Sequence, residues 1–139
     1  MVFSRALPDD LPELVSLYRL AARRMEAKGI FQWDDIYPDS HVISRDIERG
    51  EMRMRRIGAQ IAVAFSLESC VSGQYEQAHW RYDEPRFLVL HRLCVHPSHQ
   101  GCGMAREAMD FVERAALERG IFARIRPTCF LKPRRAPSL

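Results

Sequence analysis

The stretch Val95-His-Pro-Ser-His-Gln-Gly-Cys-Gly-Met-Ala-Arg106 decides the fold, because a strand stops and a helix starts across it. Ahead of it, RFLVLHRLCV is apolar on both alternating faces. Phe87, Val89, His91, Leu93 and Val95 make one face, and Leu88, Leu90, Arg92 and Cys94 the other, as in a strand covered on both sides. Behind it, Ala105, Ala108, Met109, Val112, Ala115 and Ala116 recur at helical steps. They predict a helix from about Met104 to Arg119, ended by Gly120, and IFARI predicts a further strand. Strand, helix and strand in that order predict a right-handed parallel crossover.

The loop between strand and helix predicts an anion site. The first amides of a helix lack intrahelical acceptors, and the helix dipole places about half a positive charge at that end. Gly101 and Gly103 carry no Cβ, so the main chain can take positive φ and approach a pyrophosphate closely. The expected donors are the amides from Gly101 to Arg106. The segment has no G-K-[ST] ending and lacks the third glycine of a dinucleotide fingerprint, which sets aside both the P-loop and the Rossmann fold.

Upstream, VFSRAL reads as a first strand stopped by Pro8, and Asp9 or Asp10 as the cap of a helix carrying Leu14, Leu17, Tyr18, Ala21, Ala22 and Met25 on one stripe to about Gly29. The coil GIFQWDDIYPDS follows, and Ser40 is expected to cap a short helix from His41 to Arg49. The period then changes, and MRMRRIGAQIAVAFSLES reads as two strands joined at Gly58. Residues Cys70 to Glu84 read as a loop. The expected class is α/β (α+β), a mixed, mostly antiparallel sheet flanked by helices.

A chain of 139 residues with 47% hydrophobic and 28% charged side chains has the size and composition of one domain with a core, which excludes a disordered or fibrous chain. Of 21 basic groups, Arg126, Lys132, Arg134 and Arg135 fall in the last 14 residues, so 17 basic groups face 18 acidic ones over residues 1–125. That near-neutral body argues against nucleic acid as a partner, leaving only the tail as a weak candidate contact. The four cysteines (Cys70, Cys94, Cys102, Cys129) form no C-x-x-C pair or zinc spacing, so free thiols are expected and no metal. MVFSRALPDD has no apolar signal core, and no stretch is long enough to span a membrane. A cytoplasmic protein with no membrane partner is expected.

The pattern Gln100-x-x-Gly103-x-Ala105, after a strand ending V-H-P, resembles the acetyl-CoA loop of the GNAT superfamily of N-acetyltransferases. GIFQWDDIYPDS is similar to the G-x-x-Q-W-x-x-x-Y-P segment of one bacterial branch, and HRLCVHP to its h-R-L-x-V-h-P strand. The resemblance spans roughly residues 1–126, the expected GNAT-like domain, with 127–139 a basic, proline-rich tail. It implies acetyl-CoA as cofactor, bound by main-chain groups of Leu93, Cys94 and Val95 and by Gln100, Gly101, Cys102, Gly103, Met104, Ala105 and Arg106. It also implies that the strand splays from its neighbour over Leu90 to Val95. Members of the branch continue with R-L-D-T and L-Y-x-x-x-G-F motifs where this chain reads PTCFLKPRRAPSL. The expectation is a C-terminus truncated or replaced by a frame change, and with it an exposed sheet edge that favours a homodimer.

The implied reaction is direct attack of a primary amine, of a small molecule or peptide, on the thioester carbonyl. It needs positioning, an oxyanion donor such as the Val95 amide, a base and an acid. Candidate bases are His91, Glu84 and Asp83, and Tyr82 is a candidate acid. Set against these, a strand histidine is ordinarily hydrogen-bonded core and a loop tyrosine ordinarily packing. His96 and His99 flank the loop and read as solvated turn residues. Trp33, Tyr37 and Trp80 either wall an acceptor pocket or staple loops to the core. Cys94 reads as a small hydrophobe. The alternative function is an acyl-CoA-binding or interaction domain without turnover.

Overall fold

The computed structural model describes residues 3–27, 39–71 and 86–125, the side chains of 25, 26, 70, 71, 86 and 122–125 excepted. A five-stranded sheet runs in chain order, β1 (Ser4–Arg5), β2 (Met52–Ile57), β3 (Gln60–Val71), β4 (Arg86–Val95) and β5 (Phe122–Ile125). The first four strands are antiparallel neighbours, and β5 lies parallel to β4 from Phe87↔Phe122 to Leu90↔Ile125. Helices α1 (Leu11–Ala27) and α2 (Ser40–Glu48) cover one face, and α3 (Met104–Arg119) covers the other.

The helical periodicity in the sequence matches the structure because each helix must bury one stripe. Leu14, Leu17, Tyr18, Ala21 and Ala22 of α1 lie in a core shared with Ile43 and Ile47 of α2 and Met52 and Met54 of β2. Ala108, Val112 and Ala116 of α3 pack on Phe65, Leu88 and Leu90. Phe3, Phe65 and Phe111 meet edge-on or tilted, with centroids 5.2 to 6.1 Å apart, which ties α3 to β3 beside the short β1.

Several boundaries differ from the sequence reading. The first strand is only Ser4–Arg5, and neither aspartate caps α1 directly. Pro8–Asp10 form a 3-10 turn ahead of it, with the Asp10 carboxylate accepting from the Leu7 amide at 2.8 Å. The cap of α2 is Asp39, whose Oδ1 accepts from the Val42 amide at 2.9 Å, and Ser40 is already helical; two adjacent residues of capping type cannot be ranked from sequence. Strand β3 continues to Val71, past the expected loop start at Cys70. Gly29, the remainder of the Cys70–Glu84 loop and residues 126–139 lie outside the described residues.

The largest difference is inside β4. Ala64 pairs with Cys94 but Ser66 pairs with His91, so β4 carries one more residue than β3 across that interval, a β-bulge. Arg92 sits in it with φ 56°, the one described non-glycine residue in the left-handed region. The extra residue exchanges the two faces of the strand. Leu88 and Leu90 face α3 before it and Leu93 after it, while Cys94 joins the α1 side. The uninterrupted alternation expected along Phe87–Val95 is therefore wrong beyond Arg92.

Candidate active site

β4 delivers the chain to the turn at residues 96–103. His96 donates its amide to Ala62 O at 2.8 Å, which fixes it on the β3 edge. Amide directions alternate along a strand, so the Val95 N–H points to the opposite edge. Among the described residues, pairing with β5 covers only Phe87 to Leu90, and the five residues from His91 to Val95 lie beyond it.

The turn is a short 3-10 segment, Pro97–His99, followed by Gly101 at φ 80° and Gly103 at φ 83°. An ideal Cβ on either glycine would meet no heavy atom of the described residues within 4 Å, so among these residues both main-chain positions face open space. Gln100 donates its amide to Pro97 O at 3.4 Å, and the next amide bonded in this turn is that of Glu107, on Gly103 O at 3.0 Å. Between them, the amides of Gly101, Cys102, Gly103, Met104, Ala105 and Arg106 have no recorded backbone or side-chain acceptor among the described residues. Gly103, in left-handed conformation, is the N-cap of α3 and offers no side chain to cap it. The positive φ at both glycines and the helix start at Met104 match the sequence reading. Met104 is buried in the α3 core, while Gln100, Gly101, Cys102 and Arg106 are exposed.

The two flanking histidines are braced rather than simply solvated. His96 Nδ1 accepts from the Ser98 amide at 3.1 Å, its Nε2 lies 3.2 Å from Gln60 Nε2, and His99 Nε2 lies 2.9 Å from Gln60 Oε1. One neutral imidazole cannot accept at both nitrogens, so His96 Nε2–H facing the amide oxygen, with Gln60 turned over, satisfies the whole set. Gln60, at the start of β3, thereby fixes the turn to the β2–β3 hairpin.

On the α1/α2 face, His91 is 9% exposed, and its Nε2 lies 3.5 Å from Glu68 Oε1 on the neighbouring strand. Glu51 is joined to this corner by its backbone, which accepts from the Leu67 amide at 2.8 Å and donates to Asp46 O at 2.9 Å. Burial, and then the negative charges of Glu68 and Asp46, push the Glu51 carboxyl above its ordinary value. Cys94 is buried with its Sγ 3.9 Å from Leu17 O, and burial raises its thiol far above the ordinary range. It is a packed thiol, as its sequence context suggested.

Beside His91, Arg92 makes a buried two-pronged ion pair with Asp46 of α2, Nε to Oδ2 at 2.8 Å and Nη2 to Oδ1 at 3.0 Å. The Tyr18 hydroxyl of α1 donates to Arg92 O at 2.6 Å. Tyr18, Asp46, Gln60 and Glu68 were not singled out from sequence. The one sequence signal that could have found this cluster is Arg92, a charge inside an otherwise apolar strand. Glu84, Asp83, Tyr82, Trp33, Tyr37 and Trp80 lie outside the described residues.

A family model described as acetyltransferase (GNAT) matches residues 23–132, and the chain belongs to that family. Its fold is that of solved acetyltransferases. A GNAT-family acetyltransferase from Listeria monocytogenes superposes with TM-score 0.68 at 24% identity, covering 86% of this chain and 72% of the other. One from Streptococcus agalactiae gives 0.67 at 20% identity, with 82% and 69% covered. An aminoglycoside acetyltransferase from an uncultured soil metagenomic sample, solved with sisomicin, gives 0.58 at 18% identity, with 90% and 76% covered. No curated protein matches by sequence at a significant level. Among the described residues, no helix is long and apolar enough to cross a membrane, and no cluster of three or more His, Cys, Asp or Glu is placed to hold a metal.

Proposed function

We propose that the protein is an N-acetyltransferase that takes its acetyl group from acetyl-CoA and gives it to a primary amine of a small molecule or peptide. The observation that carries this reading is the run of amides from Gly101 to Arg106, without a protein acceptor among the described residues and opening on free space at the N-terminus of α3. Backbone donors and the helix dipole fit a diphosphate there, and two glycines at positive φ leave the approach clear. Acetyl-CoA, when bound, supplies the activated acetyl thioester.

The rest of the chemistry falls to the chain. Main-chain groups of Leu93 and Val95, which alternate to the outer edge of β4, hold the arm of the cofactor there, whereas Cys94, also expected from the resemblance, turns its main chain to β3. The Val95 N–H, turned to that edge, donates to the carbonyl oxygen as it gains charge, a contribution of roughly 3 kcal/mol for one fixed donor. His91 accepts the proton of the amine, directly or through water, and the Glu68 carboxylate 3.5 Å away steadies the charged ring. We assign the acceptor side to Trp33, Tyr37 and Trp80 and the acid to Tyr82, on the resemblance and residue type alone. The enzyme is read as a cytoplasmic homodimer, the latter to be measured by light scattering on an eluting size-exclusion peak.

Calorimetric titration with coenzyme A, followed by thiol release from acetyl-CoA over a panel of amines, tests the proposal. Binding with amine-dependent release is expected. Binding without release from any amine would instead support an acyl-CoA-binding domain, and absence of binding would remove both readings.

A further inference from the structure

Arg92 is costly where it stands. A side-chain-bearing residue in the left-handed region costs on the order of 1–3 kcal/mol and persists only where its surroundings over-determine it. Here three elements do so. Asp46 of α2 grips the guanidinium at 2.8 and 3.0 Å, Tyr18 of α1 holds the carbonyl at 2.6 Å, and β3 pairs on either side of the bulge through Ser66↔His91 and Ala64↔Cys94. The residue that determines where the strand changes face thus lies three positions before Val95.

That placement has a backbone consequence. Inserting one residue moves every later N–H to the other edge of the strand. With the bulge, His96 N–H meets Ala62 O and the Val95 N–H faces away from β3. Without it, the Val95 amide would point into β3 and the outer edge would lose its donor.

We propose that the Asp46–Arg92 ion pair and the Tyr18 hydrogen bond form a positioning device for acetyl transfer, holding β4 in the bulged form that presents the Val95 amide to the thioester carbonyl. Asp46 and Tyr18 are positioning residues, acting through Arg92. The inference rests on the acetyltransferase reading above. It extends that reading to α1 and α2, the helices on the α1/α2 face of the sheet, and makes the geometry of the cofactor strand depend on both.

The test uses two variants of the full chain. Tyr18→Phe removes only the hydroxyl. Asp46→Leu/Arg92→Met removes both charges together, so that neither is left buried alone. Three readouts are taken besides folding: the carbon-13 shift of the carbonyl of labelled acetyl-CoA bound to the protein, the coenzyme A dissociation constant and kcat. The amides of residues 101–106 are untouched, so coenzyme A should still bind, weakened only by what its arm loses along β4, while the carbonyl resonance should lose the downfield displacement a hydrogen bond gives it. Turnover should fall by about 10²-fold, as for a misplacement of about 1 Å at the reacting atoms.

A purely structural pair would behave differently: stability would change while carbonyl shift and kcat stayed at wild-type values in both variants, and that result overturns the proposal. Should the double variant fail to fold, Tyr18→Phe decides alone. If the wild type binds acetyl-CoA yet releases no thiol with any amine, the transfer reading has failed, and the carbonyl shift still decides whether the pair aims the amide.

Discussion

The protein places positive-φ backbone at two points of one continuous segment, and solves the problem differently at each. At Gly101 and Gly103, φ is 80° and 83° in an exposed turn where an added Cβ would touch none of the described residues. At Arg92, φ is 56° in a buried strand. In the turn nothing holds a side chain in place, so the residue without Cβ strain is used. In the strand, two flanking helices supply a carboxylate and a hydroxyl that hold an arginine in the strained conformation. An open site is built by leaving groups unbonded, and a rigid one by bonding a single residue from several sides.

The largest expected difference between the two regions is in thiol access. Cys102 lies exposed in the turn and Cys94 is buried two residues after the bulge. Alkylation of the native protein, followed by mass spectrometry, should label Cys102 at least about a thousandfold faster, since Cys94 reacts only through unfolding with its high barrier. Comparable rates would mean that the bulged strand opens locally.

Next in size is Asp46→Ala, which removes the two-pronged carboxylate partner of a buried guanidinium. Denaturant unfolding should show a loss of about 3–5 kcal/mol. A loss under about 1 kcal/mol would show that Arg92 finds another partner or water. At the turn, Gly103→Val should cost about 1–3 kcal/mol in denaturant unfolding, because a β-branched residue is strained at φ 83° whatever space surrounds it, and should weaken coenzyme A binding by about 10- to 100-fold, or about 1.4–2.8 kcal/mol, in a calorimetric titration. Unchanged affinity would move the diphosphate elsewhere.

The smallest effect concerns the acidic corner beside the bulge. Burial and the neighbouring Glu68 and Asp46 raise the Glu51 carboxyl above its ordinary 4.5, so the folded chain binds that proton more tightly than the unfolded chain. The stabilisation is full below the ordinary value and is lost as pH rises through the raised one. Glu51→Gln should therefore be slightly more stable than wild type near neutral pH, and the two thermal midpoints should converge below about pH 4.5. A gap that persists in acid would point to a packing effect instead.

The sequence by itself determined the helices, the hairpin, the parallel β4–α3–β5 unit and the open turn. These are local: a stripe such as Ala108, Val112 and Ala116 recurs within one helix, and Gly101 and Gly103 announce their backbone freedom by what they lack. Only the tertiary structure decided the bulge and everything hung on it. Partners 46 and 74 residues away hold Arg92, and a strained backbone carried by an arginine leaves no mark in a period-two pattern that reads as an unbroken strand. The pairing of His91 with Glu68 and the brace at Gln60 were hidden for the same reason, since register between strands is set by long-range packing.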